Sequence, residues 1–120
     1  MNFSKLISYL FHSRTQAHVF HLQTPSFAEH MALNTYYDGI IELIDGLVES
    51  YQGKYGIITD YTNFNLKQYQ SKEQVIAYFE MLCEAVYQTY EMVDDSYIQN
   101  QLDTITELIK STIYKLSYLK

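Results

Sequence analysis

The chain has 120 residues, 48% of them hydrophobic, and carries 14 acidic against 8 basic side chains for a net charge of −6. That length supports one core and so one domain over residues 1–120, and the hydrophobic content excludes a disordered chain. The acidic balance argues against duplex nucleic-acid binding, which needs clustered Lys and Arg to displace counterions; the lone Cys83 excludes an internal disulfide, and no run of eighteen apolar residues suggests a membrane span.

Residues 2 to about 22 read as a first helix, capped by Asn2 or Ser4. Leu6, Leu10, Ala17 and Phe20 form one stripe; Ile7, Phe11, Arg14, His18 and His21 form its neighbour. His18 and His21 stand at i, i+3, so one face can present both. The first ten residues lack the apolar core and cleavage site of a signal peptide, so a cytoplasmic setting is expected.

A short break at Gln23 to Pro25 predicts an antiparallel second helix. Two starts are open: Thr24 as N-cap with Pro25 in the first position, or Ser26 as N-cap with Glu29 completing a capping box. The helix is expected to run to about Gln52, where Gly53 stops it. The segment from Gly53 to Gln70 is too long for an ordinary loop and predicts a crossover along the bundle, with a short helical piece over Tyr61 to Lys67.

Ser71-Lys72-Glu73-Gln74 is a capping box for a third helix, with Val75, Ile76, Phe79, Leu82, Cys83, Val86, Tyr90 and Val93 on one side. Cys83 reads there as a small buried hydrophobe. Asp94-Asp95-Ser96 breaks that helix and caps a fourth, which carries Ile98, Leu102, Ile105, Ile109, Ile113, Leu116 and Leu119 at helical spacing. The expected fold class is all-α, a four-helix bundle with a long connection between helices two and three.

The second helix holds the chemistry. At 100° per residue His30, Asn34, Asp45 and Glu49 fall at about 0°, 40°, 60° and 100°, on one face. Asp45 nevertheless lies roughly 22 Å of rise beyond His30, so one chain cannot bring both to one ion. An antiparallel second copy removes the difficulty: 30 with 49 and 34 with 45 share one sum, so His30 meets the partner's Glu49 and Asn34 the partner's Asp45. Gly39, near the centre of that pairing, is expected to let the two helices approach. His12 and His21 are expected to be structural, and Asp45 with Glu49 alone would be an ordinary solvated pair.

Ala17-His18, then His30, Asn34, Asp45 and Glu49, resemble the pattern of the ferritin-like Dps miniferritins, with Phe27 near that family's Phe. Asn34 stands where the family has a carboxylate, and Val19 where it usually has Trp. The resemblance implies a ferritin-like bundle that assembles at least as a dimer and, in its full form, as a dodecameric cage. It implies His18, His30, Asp45 and Glu49 as the catalytic set, with Asn34 an added metal ligand. It further implies iron as the metal, zinc as a substitute, and Fe(II) oxidation by peroxide or dioxygen as the activity. The alternative is a non-enzymatic assembly or interaction protein that keeps the fold with a degraded site; Asn34 favours it.

Overall fold

The structure is a computed structural model that describes residues 2–120. It is all-helical: α1 spans Phe3–Gln23, α2 Phe27–Tyr55, α3 Lys72–Met92 and α4 Ser96–Tyr118. Three of the four starts carry a side-chain cap, whereas Asp95, in the segment expected to cap α4, makes no cap hydrogen bond with its side chain. Asn2 accepts from the Lys5 N–H at 2.8 Å, Ser26 from the Glu29 N–H at 3.2 Å and Ser71 from the Gln74 N–H at 3.1 Å. Of the two starts open for the second helix, Ser26 is therefore the cap. Glu29 turns its carboxylate instead to the Thr24 and Tyr69 hydroxyls, both at 2.8 Å.

Three further details differ from the sequence expectation. Gly53 does not stop α2; the helix continues to Tyr55, and Gly56 ends it at φ +93°, where its lack of a Cβ removes the steric cost. Residues 61–67 form no helix but an extended strap. Gly39 faces α4 of its own chain, with its Cβ position 3.5 Å from Leu108 Cδ2, so it does not open α2 to a partner.

The helices form a four-helix bundle in which α1 neighbours α2 and α3, and α4 neighbours α2 and α3. Its core draws on the expected stripes of α1, α3 and α4 and on Leu33, Ile40 and Ile44 of α2: Leu6, Leu10, Phe20, Leu33, Ile40, Ile44, Phe79, Leu82, Ile98, Leu102, Ile105 and Ile109 are fully buried, while Leu119 of the expected α4 stripe is exposed. Tyr36 is buried with them, and its hydroxyl donates to Ser13 Oγ at 2.7 Å, while Ser13 donates to the Leu10 carbonyl at 2.7 Å. Burial holds the Tyr36 phenol well above its usual range, so it remains a donor.

The α2–α3 connection returns along α1, tied by a ladder of α1 side chains. Ser8 Oγ accepts from the Thr62 N–H at 2.9 Å, and His12 Nε2 donates to the Asn65 carbonyl at 3.0 Å. Gln16 takes both backbone groups of Lys67, at 2.7 and 2.8 Å, and Gln23 accepts from the Tyr69 N–H at 2.7 Å. From Ser8 to Gln23 a helix rises ~22 Å, and seven extended residues from Thr62 to Tyr69 cover ~23 Å. The strap is therefore straight because its ties are spaced by the helix beneath it. At the far end Asp95 of the α3–α4 turn is ion-paired to Lys54 and accepts from the Tyr55 hydroxyl, which pins the end of α2 to the start of α4.

Candidate metal half-sites on α1 and α2

The break at Thr24 to Ser26 sets the register of α1 against α2. Thr24 N–H closes the last turn of α1 on the Phe20 carbonyl at 2.9 Å, and Pro25 cannot continue it. The return places His21 opposite His30. Their rings stack with centroids 3.6 Å apart and planes 18° from parallel. His21 Nδ1 donates to the His30 carbonyl at 2.7 Å, and His30 Nδ1 donates to the His21 carbonyl at 2.8 Å. A carbonyl can only accept, so each Nδ1 carries the hydrogen and each neutral ring keeps its lone pair on Nε2. Among the described residues no buried side-chain nitrogen lacks a partner. Neither Nε2 has a hydrogen-bond partner, so each keeps some contact with solvent, slight for His21, which is 7% exposed, and larger for half-buried His30.

His18 lies one turn back on the exposed side of α1. Its ring stacks on Tyr37 at 4.2 Å and meets the His21 ring edge-on at 5.7 Å. The structure therefore brings His18 and His30 into one aromatic cluster, with His21 and Tyr37 between them. His21, expected to be structural, is a member of that cluster. It cannot join His30 on one ion. Imidazole lone pairs lie in the ring plane, and an ion midway between the rings would stand out of both planes by about half of their 3.6 Å separation.

Asn34 is engaged within its own helix. Its Oδ1 accepts from the Tyr37 hydroxyl at 2.8 Å and its Nδ2 donates to Asp38 Oδ2 at 2.9 Å. Only a second lone pair on Oδ1 is left for a ligand. Asp45 and Glu49 lie toward the other end of α2, both exposed, and neither forms an ion pair among the described residues.

The expected residues thus occupy one outward face in two groups, imidazoles near one end and carboxylates near the other. Among the described residues no three His, Cys, Asp or Glu side chains converge enough to hold an ion. A crevice of about 500 Å³ between α1 and the strap and a groove of about 550 Å³ between α3 and α4 involve none of His18, His30, Asp45 or Glu49. Cys83 lies half-buried at the α3–α4 groove. No described helix is long and apolar enough to cross a membrane.

A family model described as a family of unknown function (DUF5856) matches residues 21–116, and the chain belongs to that family. No curated protein and no solved structure matches it.

Proposed function

We propose that this member of the family binds Fe(II) between two antiparallel copies of α2 and oxidises it there. One observation supports this reading above the others. The reciprocal hydrogen bonds leave the Nε2 of His30 with its lone pair at the surface, on the same helix face as two unpaired carboxylates. Metal-ligating histidines commonly have this arrangement, with one ring nitrogen donating to a carbonyl and the other left for the ion.

In the paired arrangement His18 and His30 supply neutral nitrogen ligands from one chain. The partner's Asp45 and Glu49 supply anionic oxygens, and Glu49 can bridge. Nitrogen and carboxylate donors with positions left for an oxidant suit Fe(II) and accept Zn(II) as an inert substitute. The carboxylates stabilise the higher charge of the ferric product. With peroxide, two Fe(II) each give one electron, the O–O bond breaks, and two protons are taken up to leave two waters.

The other reading is an assembly protein with a degraded site. The engagement of both polar ends of Asn34 inside its own helix favours it. Anaerobic Fe(II) titration followed by peroxide addition separates the two. The site reading expects saturable binding at one or two ions per chain and peroxide consumption in a two-to-one ratio of iron to peroxide. An assembled protein that takes up no Fe(II) establishes the other reading, and recovery by Asn34→Asp would locate the lesion.

A further inference from the structure

The face that pairs in this reading carries a charge pattern that opposes pairing. Asp38, Glu42, Asp45 and Glu49 are all exposed along α2. From Phe27 to Gly53 the helix has no Lys or Arg, and Lys54, the first cation after it, is committed to Asp95. The cation of α1 nearest in register is Arg14, which the Ser13–Tyr36 and His18–Tyr37 contacts place alongside the middle of α2.

In that register two antiparallel copies bring Asp38 and Glu42 of each face together at the centre, while Asp45 and Glu49 face the partner's Asn34 and His30. With 30 opposite 49, Asp38 stands opposite position 41 of the partner. The partner's Asp38 is then only three residues, ~4.5 Å of rise, away along an interface whose axes lie ~8–10 Å apart. Asp38 and Glu42 crowd the two-fold axis; of the cations in register, Arg14 lies on α1 and Lys110 of α4 lines the α3–α4 groove, and Asn34 fixes Asp38 through its 2.9 Å hydrogen bond. The apolar part of the face is half-buried Ile41, which stands opposite the partner's Asp38, with half-exposed Met31 and partly buried Val48 meeting farther from the centre in the same register.

We propose that pairing through α2 is gated by the cation itself: the metal-free chains repel, and ions cross-linking His18 and His30 to the partner's Asp45 and Glu49 hold the dimer together. This rests on the shared-site reading above and adds its regulation. Metal supply would then control assembly, and a chain without metal would present its half-sites open to solvent. The opposition is electrostatic and local, so relieving it at Asp38 and Glu42, outside the ligand set, should replace the need for metal.

Sedimentation velocity on the full chain at fixed ionic strength tests this, with Zn(II) as a redox-inert probe. The expected result is a monomer in EDTA, at least a doubling of mass with stoichiometric Zn(II), and no change with Mg(II), which imidazoles bind poorly. Asp38→Asn/Glu42→Gln is expected to dimerise in EDTA, and Glu49→Gln to stay monomeric with Zn(II). A wild-type dimer in EDTA that Zn(II) leaves unchanged overturns the gating, while Zn(II) binding to that dimer by calorimetry would leave the shared site standing. Wild type that binds no Zn(II) overturns the site reading and the gating with it. A monomeric Asp38→Asn/Glu42→Gln variant in EDTA overturns the repulsion argument by itself.

Discussion

His21 and His30 hold each other by their backbones. Each Nδ1 donates to the other residue's carbonyl, at 2.7 and 2.8 Å, across the turn that joins α1 to α2. The bond made by His30 needs only the carbonyl of residue 21 and survives any substitution there. The bond made by His21 needs its imidazole. His21→Phe should keep an aromatic stack and lose one hydrogen bond, costing about 0.5–1.5 kcal/mol. His21→Ala should lose the stack as well and cost more. Urea unfolding of the two variants orders these effects. Long-range ¹H–¹⁵N spectra at neutral pH should show Nδ1 protonated in both rings of the wild type, and still in His30 of His21→Phe.

Gln16 is fully buried and acts as a substitute strand for one residue of the strap, accepting from Lys67 N–H and donating to its carbonyl. Gln16→Ala leaves both backbone groups without these partners, a loss of roughly 1–3 kcal/mol. The strap has no hydrogen-bonded secondary structure of its own over residues 57–70, so the loosening should be local. Trypsin should cut after Lys67 markedly faster in the variant, while cleavage after Lys110, inside α4, stays slow. Equal acceleration at both sites would mean that the whole bundle had been destabilised.

The Lys54–Asp95–Tyr55 clamp makes the far end of the bundle acid-sensitive. Hydrogen bonds from Lys54 first, and Tyr55 second, hold the Asp95 carboxyl below its ordinary 3.8. The folded state therefore binds that proton less readily than the unfolded chain. The clamp's contribution is complete above the unfolded carboxyl value and disappears as pH falls through the folded one. Lys54 runs the other way: its bond to Asp95 holds it above 10.5, so its part is complete below that value and fades as pH rises through the folded one. Asp95→Asn should lower Tm at pH 7, and the gap to wild type should close as both are titrated to about pH 2, a range set by ordinary carboxyl values. A gap that stays constant to that pH would show that Asp95 acts through packing alone.

The helices and core were legible because burial repeats every three to four residues and only helices with caps such as Asn2, Ser26 and Ser71 satisfy that spacing. The strap was not. Ser8, His12, Gln16 and Gln23 look like the polar face of an amphipathic helix, and a side chain that bonds backbone leaves no trace of its partner in the sequence. A fully buried Gln among solvent-type residues has no marker until the strap is seen above it. Gly53 and Gly56 are three residues apart, and both can end a helix; only Gly56 needs positive φ. His21 reads as structural in the sequence, but the residue it stacks on lies across a turn whose register decides which side chain of α2 it meets. The outward face of His30, Asn34, Asp45 and Glu49 was readable from angle alone, since a helix fixes it. What Asn34 does there depends on Tyr37 and Asp38, whose rotamers the spacing does not determine.

The shared site predicts complementation between two dead variants. His30→Ala removes an imidazole ligand and Glu49→Ala a carboxylate, and both residues lie outside the core, so the fold should survive. Any dimer that either variant forms alone lacks a ligand at both sites, and metal cannot hold it together. In a mixed dimer one site loses His30 and Glu49 together, and the other keeps His18 and His30 from the Glu49→Ala chain and Asp45 and Glu49 from the His30→Ala chain. Random pairing of equal amounts makes half of the dimers mixed, so about a quarter of the wild-type sites should return. Fe(II) binding or oxidation measured before and after mixing gives that fraction. Because the restored site is also a cross-link, mixed dimers should be enriched as metal is added, and recovery should rise above the random value. Mixed dimers that form, shown by mass-tagging one variant, and that recover nothing while wild type is active would exclude ligands shared across the α2 pair.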